Sequence, residues 1–360
     1  MVDRQETAPV RAGEELDWAA LEAYLRANVT GLQGEMTVLQ FPNGSANLTY
    51  QVSFGDRRLV VRRPPFGALA PGAHDMRREY RALSRLYAGY PRAPRAFSFC
   101  EDPSVIGSDF LVVEYRPGIV VWDAIPDSMR DLPDAGRRIG FAVVDALADL
   151  HAVDPVAVGL GDLGRPDGFL TRQLAGWRKR WDAVAPEDGD GLAEQLSDRL
   201  AARMPVSGPP ALVHNDFKID NCQFAPNDPD QVVSVFDWDM TTLGDPLVDL
   251  GTLLNYWPDP ADGPDVVLIV PGVDRLGLPT RAEVVERYRE RSGRQIADID
   301  WYEAYGRWKT IVILQQLYAR YLRGETTDER MGTRGAQVVA LTRSALDVLD
   351  RSKVAGSTGR

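Results

Sequence analysis

The stretch LVHNDFKIDNCQF, residues 212–224, brings a histidine, a carboxylate and an amide together on one short segment. His214, Asp216 and Asn221 form the pattern H-x-D-x-x-x-x-N directly after an apolar run. A second apolar run, VVSVFDW, has Asp237 as its next-to-last residue. The two runs, 210–214 and 232–236, read as short β-strands, and their pairing predicts that Asp216, Asn221 and Asp237 converge at one end.

These three side chains suit phosphoryl transfer. One carboxylate can accept the proton of an attacking hydroxyl, and a carboxylate oxygen and an amide oxygen are hard ligands suited to Mg²⁺. Phosphoryl transfer asks a protein for positioning and charge neutralisation rather than covalent chemistry. An Asp-x-x-x-x-Asn spacing alone is also common in loops, where such residues form Asx turns. The rest of the chain has to decide between the two interpretations.

The N-terminal third of the chain adds candidate groups for holding a phosphate. FPNGSANLTYQV, residues 41–52, predicts a hairpin whose small residues let backbone amides approach a ligand. Arg62 ends the third predicted strand, and Glu79 on the next helix is placed to pair with it. Arg63 is the neighbouring alternative, but strand alternation sends its side chain to the other face.

Periodicity predicts an α+β protein with a β-rich first part and an α-rich second part. We divide the chain into a nucleotide-binding N-lobe, 1–115, and a C-lobe, 116–360, with the catalytic loop, metal site and acceptor pocket. The hinge between them lies near 114–118, at Pro117-Gly118. The predicted strands of the N-lobe are 36–41, 48–54, 57–63 and 110–115, with a helix over 74–90. The predicted helices of the C-lobe are 134–152, 169–183, 191–204, 280–292, 299–323 and 328–350.

Composition limits the possible partners and surroundings. The formal net charge of −11 argues against nucleic acid or an anionic membrane as the main partner. Two cysteines outside any CxxC pair, and three scattered histidines, make a disulfide framework and a multi-histidine metal hydrolase improbable. The first residues have no signal-peptide core, and no run of 18 apolar residues occurs. We therefore predict a cytoplasmic protein.

The order of these motifs resembles the aminoglycoside phosphotransferase family, small-molecule relatives of protein kinases that include choline kinase. HNDFKIDN matches the catalytic loop of that family, and VFDWDMTTLGDPLVDLG matches its metal-binding strand and following helix. LVVRRPP with REYRAL resembles a subgroup close to the phosphotransferase domain fused to acyl-CoA dehydrogenases. The resemblance implies a protein-kinase-like two-lobed fold: a small antiparallel sheet with one packed helix, then a larger helical lobe.

The resemblance also implies roles for individual residues with ATP and Mg²⁺ as cofactors. Asp216 corresponds to the catalytic base, and Asn221 and Asp237 correspond to the Mg²⁺ ligands. Many members have Lys where this chain has Arg62, and arginine keeps the charge but is bulkier. Adenine is expected to bond to backbone at the hinge. The predicted nucleotide-binding residues are Gly44, Ser45, Asn47, Arg62, Glu79, Glu114, Tyr115 and Arg116.

Several neighbours of the catalytic loop receive lesser roles. His214 is expected to shape the loop as a neutral, packed side chain, and His151 to pack. Asp249 corresponds to the aspartate that braces the catalytic loop, with simple helix capping as an equal alternative. Lys218 and Asp239 are expected to face solvent. The alternatives are that Lys218 contacts the γ-phosphate or the acceptor and that Asp239 assists the metal.

The acceptor is a small-molecule hydroxyl compound whose identity the sequence leaves open. TRQLAGWRKRW, residues 171–181, is basic and aromatic, which favours an anionic or partly apolar acceptor such as a hydroxyacyl-CoA over a polycationic antibiotic. A solvated helix face explains the same residues equally well. The alternative function is a nucleotide-binding module without catalysis. A protein kinase is disfavoured because only six residues separate Asp237 from Gly244, too few for an activation segment.

Overall fold

A computed structural model describes residues 7–42, 47–66, 75–260, 262, 269–326 and 328–357. In these ranges the chain forms a five-stranded antiparallel sheet followed by a mainly helical region, which confirms the predicted α+β class. The strands are β1 (Met36–Gln40), β2 (Leu48–Phe54), β3 (Arg57–Arg63), β4 (Ala96–Cys100), β5 (Phe110–Glu114), β6 (Ile119–Val120), β7 (Ala211–Val213), β8 (Cys222–Ala225), β9 (Asp228–Val235) and β10 (Thr242–Gly244).

The helices begin and end close to the predicted positions. They are α1 (Trp18–Asn28), α2 (Met76–Leu86), α3 (Pro103–Ile106), α4 (Ala135–His151), α5 (Phe169–Asp182), α6 (Leu192–Ala202), α7 (Leu247–Tyr256), α8 (Arg281–Ser292), α9 (Ile299–Leu322), α10 (Glu329–Gly332) and α11 (Arg334–Ser357). The predicted helix 328–350 is two helices that meet at Thr333. None of the described helices is long and apolar enough to cross a bilayer.

The large sheet has the strand order β1-β2-β3-β5-β4. Alternation along β3 buries Leu59, Val61 and Arg63 on the face toward α1 and sends Arg62 to the opposite face. Strand β4 is absent from the sequence prediction because AFSFC follows a proline-rich turn and is short. Since the sheet ends at Glu114, the strands agree with a lobe boundary at 115, although the functional division into lobes stays a prediction.

Helix α2 packs on the other face of the sheet, between the sheet and the helical region. Asp75 caps it by accepting a hydrogen bond from the amide of Arg78 at 2.9 Å. Met76, Glu79 and Leu83 lie on its buried stripe. A single charged residue, Glu79, therefore enters an otherwise apolar face at the level of Arg62.

The predicted pairing of 210–214 with 232–236 is wrong. Strand β7 pairs antiparallel with β10, and β9 pairs with β8, its neighbour in sequence. A hairpin between β8 and β9 closes a much shorter loop than the predicted pair would, and the entropy cost of closing a loop grows with its length. The three functional ends still converge, since the amide of Phe236 donates to the Asn221 carbonyl at 2.9 Å.

Strand β6 links the hinge to this hairpin by pairing with β8. Gly118 permits the approach: a Cβ there would lie 2.5 Å from Cγ of Gln223 and 2.7 Å from the Phe224 carbonyl oxygen. Any larger residue would push the hinge away from the catalytic hairpin. The fold thus joins the predicted adenine-binding segment directly to the strand that follows Asn221.

Candidate functional site

The catalytic-loop segment starts where β7 ends and is held by its own histidine. The ring of His214 donates from Nε2 to the Phe236 carbonyl at 2.7 Å, and its Nδ1 accepts from the Asp216 amide at 3.2 Å. These two bonds define the neutral tautomer with the proton on Nε2. The ring is wholly buried and contacts Trp238 at 4.7 Å between centroids. His214 shapes the loop, as predicted.

Asp249 lies on helix α7, and its carboxylate binds the first two residues of the catalytic loop. Its carboxylate accepts from the amides of His214 at 2.6 Å and Asn215 at 2.7 Å. His151 contacts the same carboxylate at 3.2 Å and Tyr288 at 2.7 Å. Burial alone would raise the pKa of Asp249, but hydrogen bonds from His151 and the His214 amide hold that pKa below its usual range. The bracing geometry predicted for Asp249 is present, and His151 is packed.

We expect Asp249→Asn to lower the free energy of unfolding by about 3 kcal/mol, because an amide cannot accept from both loop amides and places a donor against one of them. Chemical denaturation at pH 7 measures the loss. The folded-state pKa of Asp249 is lowered, so its contribution is present above the ordinary carboxyl value of 3.8 and is lost as the pH falls through the folded-state value. The difference in unfolding free energy between wild type and Asp249→Asn should therefore become smaller in acid.

Asp149→Asn is the control, since Asp149 is a carboxylate with 28% of its side chain exposed and is paired with Arg92 and Arg291. The free energy of unfolding of Asp149→Asn should differ from that of the wild type by no more than about 1 kcal/mol. Equal losses for the two variants would contradict a special role of Asp249 in the fold.

Asp216 lies at the centre of the loop with its side chain one-quarter exposed. The amide of Asn221 donates to the Asp216 carbonyl at 2.8 Å and to its carboxylate at 3.3 Å. Those bonds occupy the Asn221 nitrogen and leave its Oδ1 as the atom able to meet a cation. Lys218, expected in solvent, instead lies 3.5 Å from the carboxylates of both Asp216 and Asp220. Burial lowers the pKa of Lys218, but these two charges outweigh it and raise that pKa overall.

Across the cleft, one guanidinium joins the two lobes. Arg62 reaches Glu79 with Nη1 at 3.1 Å and Asp237 with Nη2 at 2.8 Å. The pair with Glu79 is as predicted, whereas the bond to Asp237 was missed. Burial raises the pKa of Glu79 to about 7 although Arg62 opposes the shift. Asp237 shows the reverse balance, because the charge of Arg62 and its hydrogen bond outweigh burial and lower its pKa.

Asp237 has an unusual backbone conformation. It has φ 67°, in the left-handed region that a non-glycine residue enters only when its surroundings enforce it. Asp239, expected in solvent, is partly buried, and this burial together with the charges of Asp237 and Glu79 raises its pKa to about 8. The predicted surface position of Asp239 is therefore wrong: it belongs to the acidic cluster beside Arg62.

The oxygens present fit a magnesium ion shared with a nucleotide. Asn221 Oδ1 and the Asp237 carboxylate are hard donors, and Mg²⁺ in such sites takes one or two protein ligands with substrate phosphates completing its shell. The described residues contain no group of three or more His, Cys, Asp or Glu side chains arranged for a metal. Two protein oxygens leave most of an octahedral Mg²⁺ shell to phosphate oxygens and water.

The predicted nucleotide contacts divide into described and undescribed residues. Gly44 and Ser45 lie outside the described ranges. Asn47 is 5% exposed, and both polar atoms of its side-chain amide are without a hydrogen-bond partner among the described residues. At the hinge, Glu114 pairs with Arg116 at 2.9 Å, and Arg58 stacks over Tyr115 at 4.0 Å from the ring centroid. The Glu114 amide already donates to the Arg95 carbonyl at 2.8 Å, so adenine would have to bond elsewhere on the hinge backbone.

We expect Arg62→Lys to weaken nucleotide binding about tenfold, because a single ammonium cannot reach Glu79 and Asp237 together and one charge-assisted hydrogen bond is lost. Titration calorimetry with ADP and Mg²⁺ measures this change. Arg57→Lys on the same strand is the control, since Arg57 points to the opposite face and should leave the affinity unchanged. An unaltered affinity in Arg62→Lys would show that nucleotide binding does not need the two guanidinium contacts of Arg62.

Sequence reasoning also missed Lys309 of α9. Its Nζ donates to the main-chain carbonyl of Asn215, although the side chain is only 4% exposed. No motif marks it, because a lysine inside WKTIVIL reads as one polar position on an amphipathic helix. Trp257, beside the site, is buried and donates from its indole nitrogen to the Pro279 carbonyl at 2.7 Å.

A strand-rich lobe over a helical lobe, with a carboxylate, an amide and a second carboxylate meeting at the cleft, is the arrangement of protein-kinase-like phosphotransferases. The family model described as the phosphotransferase enzyme family matches residues 37–305. The chain belongs to that family.

Curated relatives and solved structures agree with this assignment. The chain is 33% identical over 349 residues to mouse acyl-CoA dehydrogenase family member 10, and 32% identical over 357 residues to chicken family member 11. These matches cover 95% and 96% of this chain but only 32% and 45% of the relatives, so the chain spans less than half of their length.

Among solved structures, a Ralstonia eutropha protein assigned to the aminoglycoside phosphotransferases superposes with a TM-score of 0.78 at 29% identity. That match covers 94% of this chain and 99% of the other. A thermostable mutant of aminoglycoside phosphotransferase APH(4)-Ia, in a ternary complex with AMP-PNP and hygromycin B, gives 0.56 at 16% identity. It covers 90% of this chain and 98% of its own, and at this identity it supports the fold alone.

Proposed function

We propose that this protein is an ATP- and Mg²⁺-dependent kinase that transfers the γ-phosphoryl group to a hydroxyl of a small molecule. The observation that carries the proposal is the convergence of two side-chain pairs, Asp216 with Asn221 and Arg62 with Asp237. The main-chain bond from the Phe236 amide to the Asn221 carbonyl holds the two pairs next to each other. Family membership supports the class of reaction, and the contacts support the individual roles.

Asp216 is assigned as the base that orients the acceptor hydroxyl and takes its proton. An ordinary carboxylate is a weak base, so its larger contribution is to hold the nucleophile in line. Lys218 offsets the negative charge of Asp216 and Asp220. That neutralisation eases the approach of a phosphate toward Asp216.

Asp237 and Asn221 would hold the metal, and Arg62, fixed by Glu79, would contact the nucleotide phosphates. When bound, Mg²⁺ supplies positive charge against the phosphate oxygens. Adenine is assigned to the hinge backbone near Tyr115 and Arg116. Asn47 is assigned to the nucleotide as well, because a buried amide without a partner is costly unless a ligand satisfies it.

For the acceptor we propose a hydroxyacyl-CoA rather than an aminoglycoside. Lys179 and Arg180 are exposed at the end of α5, and Arg180 stacks on Trp177 at 4.4 Å from the ring centroid. A basic and aromatic surface suits an anionic acceptor with an apolar part. The names of the relatives point the same way, because the part of those proteins beyond this match would then act on acyl-CoA compounds.

A coupled ADP-release assay with aminoglycosides, macrolides, choline, homoserine and hydroxyacyl-CoAs tests the proposal. Turnover that requires both Mg²⁺ and a hydroxylated acceptor, and that is fastest with a hydroxyacyl-CoA, is the expected result. Thermal stabilisation by ADP without turnover on any acceptor would overturn the proposal in favour of a nucleotide-binding module. Fastest turnover with an antibiotic would retain the reaction and overturn the acceptor.

A further inference from the structure

Asn215, the residue before Asp216, is held in a strained conformation from several sides. Its φ of 67° lies in the left-handed region, which costs a non-glycine residue roughly 1–3 kcal/mol. Its amide donates to Asp249 at 2.7 Å, and its side chain donates to the Met240 carbonyl at 2.9 Å. Its main-chain carbonyl belongs to the peptide that joins Asn215 to Asp216.

Lys309 donates to that carbonyl. The lysine comes from the middle of α9, is 4% exposed, and has its Nζ 5.8 Å from the centroid of the Trp177 ring. Burial lowers the pKa of Lys309, and the carboxylates of Asp216 and Asp249 act in the opposite direction. Both the neutral and the charged amine have N–H donors, so the bond to Asn215 does not depend on the protonation state.

The two helices that hold Asn215 are fixed to each other by glycines. A Cβ on Gly251 of α7 would lie 2.2 Å from the Tyr302 carbonyl oxygen of α9. A Cβ on Gly306 of α9 would lie 2.6 Å from the Gly251 carbonyl oxygen. Backbone therefore meets backbone at this crossing, which sets the spacing between Asp249 on one helix and Lys309 on the other.

We propose that Lys309 is a positioning residue that holds the Asn215–Asp216 peptide and thereby aims the Asp216 carboxylate into the cleft. Asp249 fixes the N–H side of Asn215 and Lys309 fixes its C=O side. The role in catalysis rests on the proposed function, in which Asp216 is the base. Lys309 itself acts through the loop rather than on a substrate.

Lys309→Met tests this directly, because it keeps an unbranched apolar stem and removes every donor. The expected result is a fall in kcat of about 10- to 100-fold, since small misplacements of a reacting group cost up to about that much. The KM values for nucleotide and acceptor should stay within about twofold. A changed acceptor KM with an unchanged kcat would place Lys309 in the acceptor pocket and overturn the proposal.

Gln315→Met is the matched control. Gln315 is a buried polar residue of the same helix that also donates to a main-chain carbonyl, that of Val184, at 2.9 Å. Both variants lose one such bond and should lose similar stability, but only Lys309→Met should lose kcat. Equal falls in kcat would reduce Lys309 to a general support of the fold.

Hydrogen exchange of the catalytic-loop amides gives a readout that does not need turnover. Lys309→Met should speed exchange across 213–217, and Gln315→Met should not. If the wild type turned over no acceptor, the proposed function would fail while the exchange result still decided whether Lys309 holds this peptide. Unchanged exchange in Lys309→Met would overturn the inference. If Lys309→Met fails to fold, Lys309→Gln replaces it, because glutamine keeps N–H donors on a shorter side chain. Lys309→Gln should show a smaller fall in kcat and a smaller increase in the exchange rate of the catalytic-loop amides.

Discussion

Replacing Asp216 by asparagine is expected to lower kcat by about 10²- to 10⁴-fold, the range that a positioned general base contributes. Asparagine keeps the size of the side chain and its contact with Asn221 but cannot take a proton. Asp216 contacts Lys218 and Asn221 and has no hydrogen bond to Arg62 among the contacts of the described residues. Nucleotide affinity should therefore change by less than about threefold, a difference well below one hydrogen bond to a charged group.

Single-turnover measurement of phosphoryl transfer, with ADP and Mg²⁺ affinity measured separately, checks both halves of this prediction. Asp230→Asn is a suitable control, because Asp230 is an exposed carboxylate of the same lobe whose partner is Arg138 at 2.6 Å. Normal turnover in Asp216→Asn would remove Asp216 from the role of base. A turnover defect that came only from lost nucleotide binding would move it to the nucleotide site.

Asp237→Ala, unlike Asp216→Asn, is expected to weaken nucleotide binding. It removes one proposed metal ligand and the partner of Arg62, and a charged contact of about 1.5–3 kcal/mol corresponds to roughly 10- to 100-fold in affinity. Glu79 keeps its pair with Arg62 at 3.1 Å, so the fold should survive the change. The affinity for ADP should fall strongly in the presence of Mg²⁺ and much less in its absence.

Calorimetric titration of ADP with and without Mg²⁺ measures that difference, and binding of Mn²⁺ followed by electron paramagnetic resonance reports the metal itself. Asp216→Asn serves as the comparison for binding, since it should leave both titrations almost unchanged. An equal loss of ADP affinity with and without the metal would mean that Asp237 acts by orienting Arg62 rather than as a ligand.

The site is built so that a few side chains each hold two partners. Arg62 joins Glu79 to Asp237, Asp249 holds the amides of both His214 and Asn215, and Asn221 holds two oxygens of Asp216. Buried charged groups arranged in this way are costly to leave unpaired. Single substitutions should therefore change geometry as well as charge, which is why the controls above match burial and hydrogen bonding.

The sequence by itself determined the fold class and the order of the motifs. Alternating polarity set the faces of β3, so Arg62 and Arg63 were assigned to opposite sides correctly. The spacing H-x-D-x-x-x-x-N fixed Asp216 and Asn221 on one loop, because that loop is local in the chain. Local structure of this kind depends on residues that are close in the chain, so their pattern predicts it.

Only the tertiary structure decided which strands pair and which distant side chains hold the loop. The pairing of β7 with β10, and of β8 with β9, follows from competition among several short strands that look alike in sequence. Lys218 and Asp239 were expected in solvent because a charged residue by itself predicts exposure. In the structure Lys218 pairs with Asp216, and Asp239 is partly buried beside Asp237 and Glu79.

Lys309 was missed for the same reason, since 94 positions separate it from Asn215. Its role depends on two glycines that let α7 and α9 touch. A contact between groups so far apart in the chain exists only after the helices have packed, because packing brings the side chain and the carbonyl within reach of each other.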